Sequence, residues 1–255
     1  MSDFNRNVAA PRFGADRAVA IDAGLRAHMI RVYNYMAIGV ALTGLVAWFV
    51  FQMAGGDAIR FAGGSMVGLT PFGQTIFSSP LIYILMFGPL ALVFWMSLGI
   101  NRMSPGFARI LFFVYAASLG LSLSTIFLAY THTSITRVFF ISAAAFGGLS
   151  LWGYTTQRDL TGMGSFLMMG LIGIVIASLV NIFLKSGPLD WIISVIGVLV
   201  FAGLTAYDTQ KIKEMYDPNE DGTITGRKAV MGALSLYLDF INLFLMLLRL
   251  FGDRR

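Results

Sequence analysis

Ile192-Ile193-Ser194-Val195-Ile196-Gly197-Val198-Leu199-Val200-Phe201-Ala202-Gly203-Leu204-Thr205-Ala206-Tyr207 is an unbroken apolar run, and Asp208 closes it. Such a run is near the ~20 residues a helix needs to cross a bilayer. A second one, Leu234-Ser235-Leu236-Tyr237-Leu238-Asp239-Phe240-Ile241-Asn242-Leu243-Phe244-Leu245, carries Asp239 in its middle. A carboxylate at membrane depth costs roughly 2.5–3.5 kcal/mol on insertion scales and normally faces a cavity or a partner. Of thirteen acidic residues, the others lie in tails, loops or segment ends. These two do not.

Working outward, the chain is 57% hydrophobic and 12% charged over 255 residues. Soluble domains carry about twice that charge fraction. The apolar residues come in seven blocks, near 30–53, 81–100, 107–130, 136–155, 164–184, 190–210 and 228–250. None shows the ~10-residue alternation of a membrane β-barrel. The expected fold is all-α, with seven transmembrane helices. A polar tail, residues 1–29, precedes a membrane domain, residues 30–255. The tail has no apolar core and no cleavage signal, so it is not a secretory leader. With no cysteine, thiolate and disulfide chemistry are excluded. The net charge of +5 does not indicate nucleic acid, because the basic residues flank the spans.

Those basic residues set the orientation. A cytoplasmic N-terminus places Arg6, Arg12, Arg17, Arg26, Arg31, Arg102, Arg109, Arg158, Lys211, Lys213, Arg227 and Lys228 on that side. Only Arg60, Arg137 and Lys185 fall opposite. The tail residues Arg249, Arg254 and Arg255 resist the rule: seven crossings export them, whereas a re-entrant last segment keeps them inside. Apolar length favours crossing. Glycines inside the spans (Gly147, Gly148, Gly153, Gly170, Gly173, Gly197, Gly203) are expected to admit close helix approach, or else hinges. Pro89 suggests a local kink. The linker 54–80 is expected to hold an interfacial turn packed by Phe61, Phe72 and Phe77.

Asp239 shares a helical face with Ser235 at i−4 and Asn242 at i+3. A structural polar contact could be met more cheaply by Asn or Ser. Asp208 reads as shallower, and it meets Asp239 if the sixth helix continues through Lys213 and the seventh starts near Gly226. Two touching carboxyls cannot both ionise cheaply, so the pair is expected to titrate as a unit. It is also an oxygen-rich place that Ca²⁺ can touch in transit, though two carboxylates make no tight cage. Tyr207-Asp208 echoes an intramembrane aspartyl protease, but no glycine opens the backbone before Asp239, so an enzyme is not expected. His28 and His132 read as surface residues without further ligands, and Asp217-Pro218-Asn219-Glu220-Asp221-Gly222 as a solvated turn. No cofactor is indicated.

Five stretches together resemble a bacterial member of the Bax inhibitor (transmembrane Bax-inhibitor-motif) family. They are Val32-Tyr33-Asn34-Tyr35-Met36-Ala37 with Leu42-Thr43-Gly44, Gly153-Tyr154-Thr155-Thr156 with Arg158-Asp159-Leu160, Asn181-Ile182-Phe183-Leu184, Phe201 through Ile212, and Ala233 through Phe244. The resemblance implies a C-terminal helix enclosed by six others and a pH-sensitive calcium leak across the inner membrane. It makes Asp208 and Asp239 the proton sensor, with Ser235, Asn242 and Tyr207 as polar support. It also implies a basic latch at the cytoplasmic end of the second span. There Phe94-Trp95-Met96 is followed by Ser97, leaving Arg102 and Arg109 as the nearest candidates. The partners it implies are the lipid bilayer, Ca²⁺ and protons. A membrane-bound ATP-dependent protease is the partner in the alternative reading, a non-conducting modulator.

Overall fold

The computed structural model describes residues 13–62 and 65–254, with side chains described over 23–60 and 66–254. The elements are α1 (Phe13–Ala54), a hairpin of β1 (Arg60–Ala62) and β2 (Ser65–Val67), α2 (Pro71–Phe77) and α3 (Leu81–Gly99). There follow α4 (Pro105–Leu123), the short α5 (Ile126–Ala129), α6 (His132–Thr155), α7 (Thr161–Leu184), α8 (Gly187–Glu214) and α9 (Gly222–Phe251). Among the described residues, seven helices are long and apolar enough to cross a membrane: α1, α3, α4 extended through α5, α6, α7, α8 and α9.

Local chemistry explains where the helices begin. Thr70, Ser104, Thr131 and Ser186 each accept a hydrogen bond from the backbone N–H three residues on. Proline follows within two positions in three of these four, where its missing N–H costs nothing. The α7–α8 turn is two residues long because Lys185 adopts a left-handed conformation (φ 49°) and Ser186 N–H donates to Asn181 Oδ1. α3 continues past Pro89 as one helix.

α9 lies at the centre. In its most apolar stretch 72% of residues are buried, against 11% for α3 and α7, which therefore face lipid. It packs on α8, α1, α6 and α4. The two ends of the bundle hold different polar contacts. At the end bearing the α1 N-terminus, Lys213 Nζ donates to Tyr154 O (2.9 Å) and Arg227 Nε to Met103 O (2.6 Å). At the far end His132 Nε2 meets Asp57 at 3.1 Å, and Thr131 N–H donates to Asp253 O (3.0 Å). α9 thus crosses completely and ends beside the starts of α6 and α8.

This resolves the basic C-terminus. Asp190 forms ion pairs with Arg249 (3.7 Å) and Arg254 (3.9 Å), and Arg137 with Asp253 (3.5 Å), so the far-end cations are partly neutralised. Several sequence expectations need adjustment. α1 begins at Phe13, well inside the polar tail, because a helix can project beyond the apolar run that anchors it. Residues 1–12 of that tail, with Arg6 and Arg12, lie outside the described residues. In the 54–80 linker Phe77 is buried and Phe72 exposed, so only Phe77 packs as expected; the Phe61 side chain lies outside those described. Gly147, Gly148 and Gly173 meet nothing, whereas Gly153 abuts the Ala206 backbone and Gly170, Gly197 and Gly203 abut Val200, Met246 and Leu167.

Candidate functional site

α8 continues as helix through Lys213 to Glu214, and α9 begins at Gly222, a turn before Gly226. Both extensions are what the pairing of Asp208 with Asp239 requires. Glu214 and Gly222 are joined by a seven-residue turn, so the two helices run antiparallel and in close contact. Their carboxyls come within side-chain interaction range of each other. A carboxylate offers only acceptors, so a hydrogen bond between the two needs a shared proton. Asp239 is 5% exposed, and its Oδ2 has no hydrogen-bond partner among the described residues. Asp208 is half-buried, with the Lys211 ammonium one turn along α8 as the cation whose field reaches it.

The other sequence candidates fall around this pair rather than on it. Asn242 donates to the Leu238 carbonyl (2.8 Å) and lines a groove with Ser178 and Phe201 between α7, α8 and α9. Ser235 is half-buried and has no hydrogen bond to either aspartate among the described residues. Tyr207 packs over Gly164 of α7, with the Lys211 ammonium 5.8 Å from its ring centre. Arg102 and Arg109 are exposed, and neither forms an ion pair among the described residues.

Polar groups that sequence reading passed over hold the neighbourhood together. Tyr33 (α1), Ser150 (α6) and Thr209 (α8) form a hydroxyl chain, at 2.7 and 2.9 Å, ending one residue from Asp208. Gln210 clamps the α6–α7 turn by accepting from Leu160 N–H and donating to Arg158 O, each at 2.8 Å. Two residues before Asp239, the fully buried Tyr237 hydroxyl lies 2.6 Å from Thr43 Oγ1, which reaches the Gly39 and Ala116 carbonyls at 2.9 Å. Hydroxyls scattered through apolar runs gave no periodic signal, and only the helix register brings them together.

His28 is the clear correction. It is 3% exposed, not a surface residue, and both ring nitrogens lack hydrogen-bond partners among the described residues. It packs against Tyr216 (5.5 Å between ring centres), whose turn between α8 and α9 folds back over α1. In the same turn Asp217 accepts from Asn219 N–H (2.9 Å), while Glu220 pairs with Lys228 at 2.6 Å. Asp159, exposed in the α6–α7 turn, is held below the usual carboxylate range by its hydrogen bonds with Thr161.

Beyond the pair toward the far end, aromatic side chains of α9 pack on α6 and line a cavity of about 460 Å³ with α1. Phe240 stands edge-on to Phe139 and Phe146 (5.6 Å each), Phe244 to Phe139 (6.1 Å), and Leu243, Leu247 and Leu248 are buried. The two largest cavities described, about 460 and 530 Å³, are not lined by either aspartate.

The family model for inhibitors of apoptosis-promoting Bax1 matches residues 25–255. The chain is 46% identical over 244 residues to the inner membrane protein YbhL of Escherichia coli K12, covering 94% of this chain and 97% of YbhL. A Rickettsia prowazekii protein is 47% identical, covering 92% of each chain. A Streptococcus pyogenes membrane protein is 38% identical, covering 91% of this chain and 94% of its own length. Matched through all seven spans, the chain belongs to the Bax inhibitor family.

Proposed function

We propose that the protein is an inner-membrane cation leak, with Ca²⁺ as cargo, whose conduction is set by the proton occupancy of Asp208 and Asp239. The observation that carries this reading is the meeting of two carboxyls between α8 and the enclosed α9, with Asp239 Oδ2 lacking a hydrogen-bond partner among the described residues. Membrane interiors tolerate such groups when they serve a pathway or a proton relay. With one shared proton the contact ties α8 to α9; with none it becomes a like-charge repulsion, so proton occupancy changes the force between them. Toward the far side Phe240 and Phe244 pack on Phe139, so in this reading α9 shifts within its sheath when the protein conducts. Oxygen ligands and negative charge suit a hard cation in passage, while two carboxylates are too few to retain it.

The location of YbhL supports the inner membrane, and the distribution of basic residues supports a cytoplasmic N-terminus. We read the protein as a transport protein, not an enzyme. The test is Ca²⁺ entry into liposomes holding the purified chain, across about pH 6 to 8, beside Asp208→Asn and Asp239→Asn. Flux that varies with pH in the parent and is flat in both variants is expected. Folded parent and variants that conduct alike, or not at all, overturn the reading and favour the protease-docking modulator.

A further inference from the structure

α1 and α6 both pack on α9 but barely on each other, which leaves a seam open to the bilayer. In the half of the seam nearer the α1 N-terminus lies the cavity of about 530 Å³, between Met29, Ile30 and Tyr33 on one wall and Phe146, Gly147 and Leu151 on the other. The Tyr33–Ser150 hydrogen bond closes its floor. Arg26 stands at its mouth, exposed and without an ion pair among the described residues. The Lys213 ammonium lies 5.5 Å from the ring centre of Tyr154, another lining residue; it donates to the Tyr154 carbonyl and forms no ion pair among the described residues.

An apolar slot with cations at one end that pair with no carboxylate among the described residues is complementary to an amphiphile with an anionic head. From Arg26 to Tyr33 is about 10 Å along a helix, against ~15 Å for the hydrocarbon of one leaflet. The volume lies within the ~300–1,000 Å³ range of small-molecule sites. We infer that the α1–α6 seam is a binding site for one anionic phospholipid of the N-terminal-side leaflet, with an acyl chain along Phe146 and Gly147 and the phosphate at Arg26. The second cavity, in the other half of the seam, carries no charged residue and offers no such head-group match. The inference does not depend on the leak.

Because Gly147 and Gly148 both face open space, they make a matched pair, and only Gly147 lines the slot. The experiment is native mass spectrometry of the detergent-purified protein with phosphatidylglycerol or phosphatidylcholine of identical chains. The parent is expected to retain one phosphatidylglycerol in preference to phosphatidylcholine. Arg26→Gln should lower that preference roughly five-fold. Gly147→Leu should displace the lipid, while Gly148→Leu should leave it bound. Equal retention of the two lipids overturns the site. So does retention by Gly147→Leu that matches the parent, since that would place the lipid on the outer surface.

Discussion

Gly153→Ala is a sharp test of how the helices hold the aspartate pair. A methyl group at Gly153 would stand 2.9 Å from both Cα and the carbonyl carbon of Ala206, and nearer still to its oxygen. Carbon atoms settle at about 3.5–4.0 Å, so α6 and α8 must part by about 1 Å. These are backbone atoms and cannot rotate aside. Overpacking of this kind costs about 1–3 kcal/mol. The gain in helix propensity from removing a glycine returns roughly 1 kcal/mol. Gly148→Ala on the same helix gains the propensity without the clash, because nothing lies within 4 Å. The two variants should therefore differ by about 2 kcal/mol, with Gly153→Ala the less stable in thermal unfolding.

A functional consequence follows from the same geometry. Ser150 and Thr209, at 2.9 Å, each lie three residues from this contact, so their hydrogen bond would stretch beyond useful length. Asp208, two residues past Ala206, would shift against Asp239. Liposome flux in Gly153→Ala should show an altered pH profile, and in Gly148→Ala the parental one. If both variants melt alike and share the parental profile, the close α6–α8 approach does not position the pair.

Other outcomes follow from particular residues. His28→Phe should leave the melting temperature unchanged or raise it, because a buried imidazole with two unpartnered nitrogens costs about 1–3 kcal/mol and a phenyl ring can keep the packing on Tyr216; a loss of several degrees would mean that the imidazole has a partner. Seven crossings place the two termini on opposite sides. With the proposed cytoplasmic N-terminus, alkaline phosphatase fused after Arg255 should be active outside the cytoplasm in cells; an inactive fusion, with a fluorescent cytoplasmic reporter active at the same point, would mean either an even number of crossings or the reverse orientation.

The sequence by itself determined the class, the spans and the two aspartates, because each rests on a solvent argument. Some twenty apolar residues in a row have few places to be except a bilayer, and a carboxylate within them needs a reason. The 153–160 and 201–212 stretches were also legible as a pair of motifs, but only the structure shows why they go together: Gln210 bonds the backbone of the α6–α7 turn at Arg158 and Leu160. Tertiary structure alone decided the contact between Asp208 and Asp239, the Tyr33–Ser150–Thr209 chain, the burial of His28 and the open α1–α6 seam. Each depends on the rotation and depth of one helix against another. In a chain that is greasy on nearly every face, hydrophobic periodicity carries little of that information. The rotation is set instead by where small residues allow backbones to meet, as Gly153 does at Ala206.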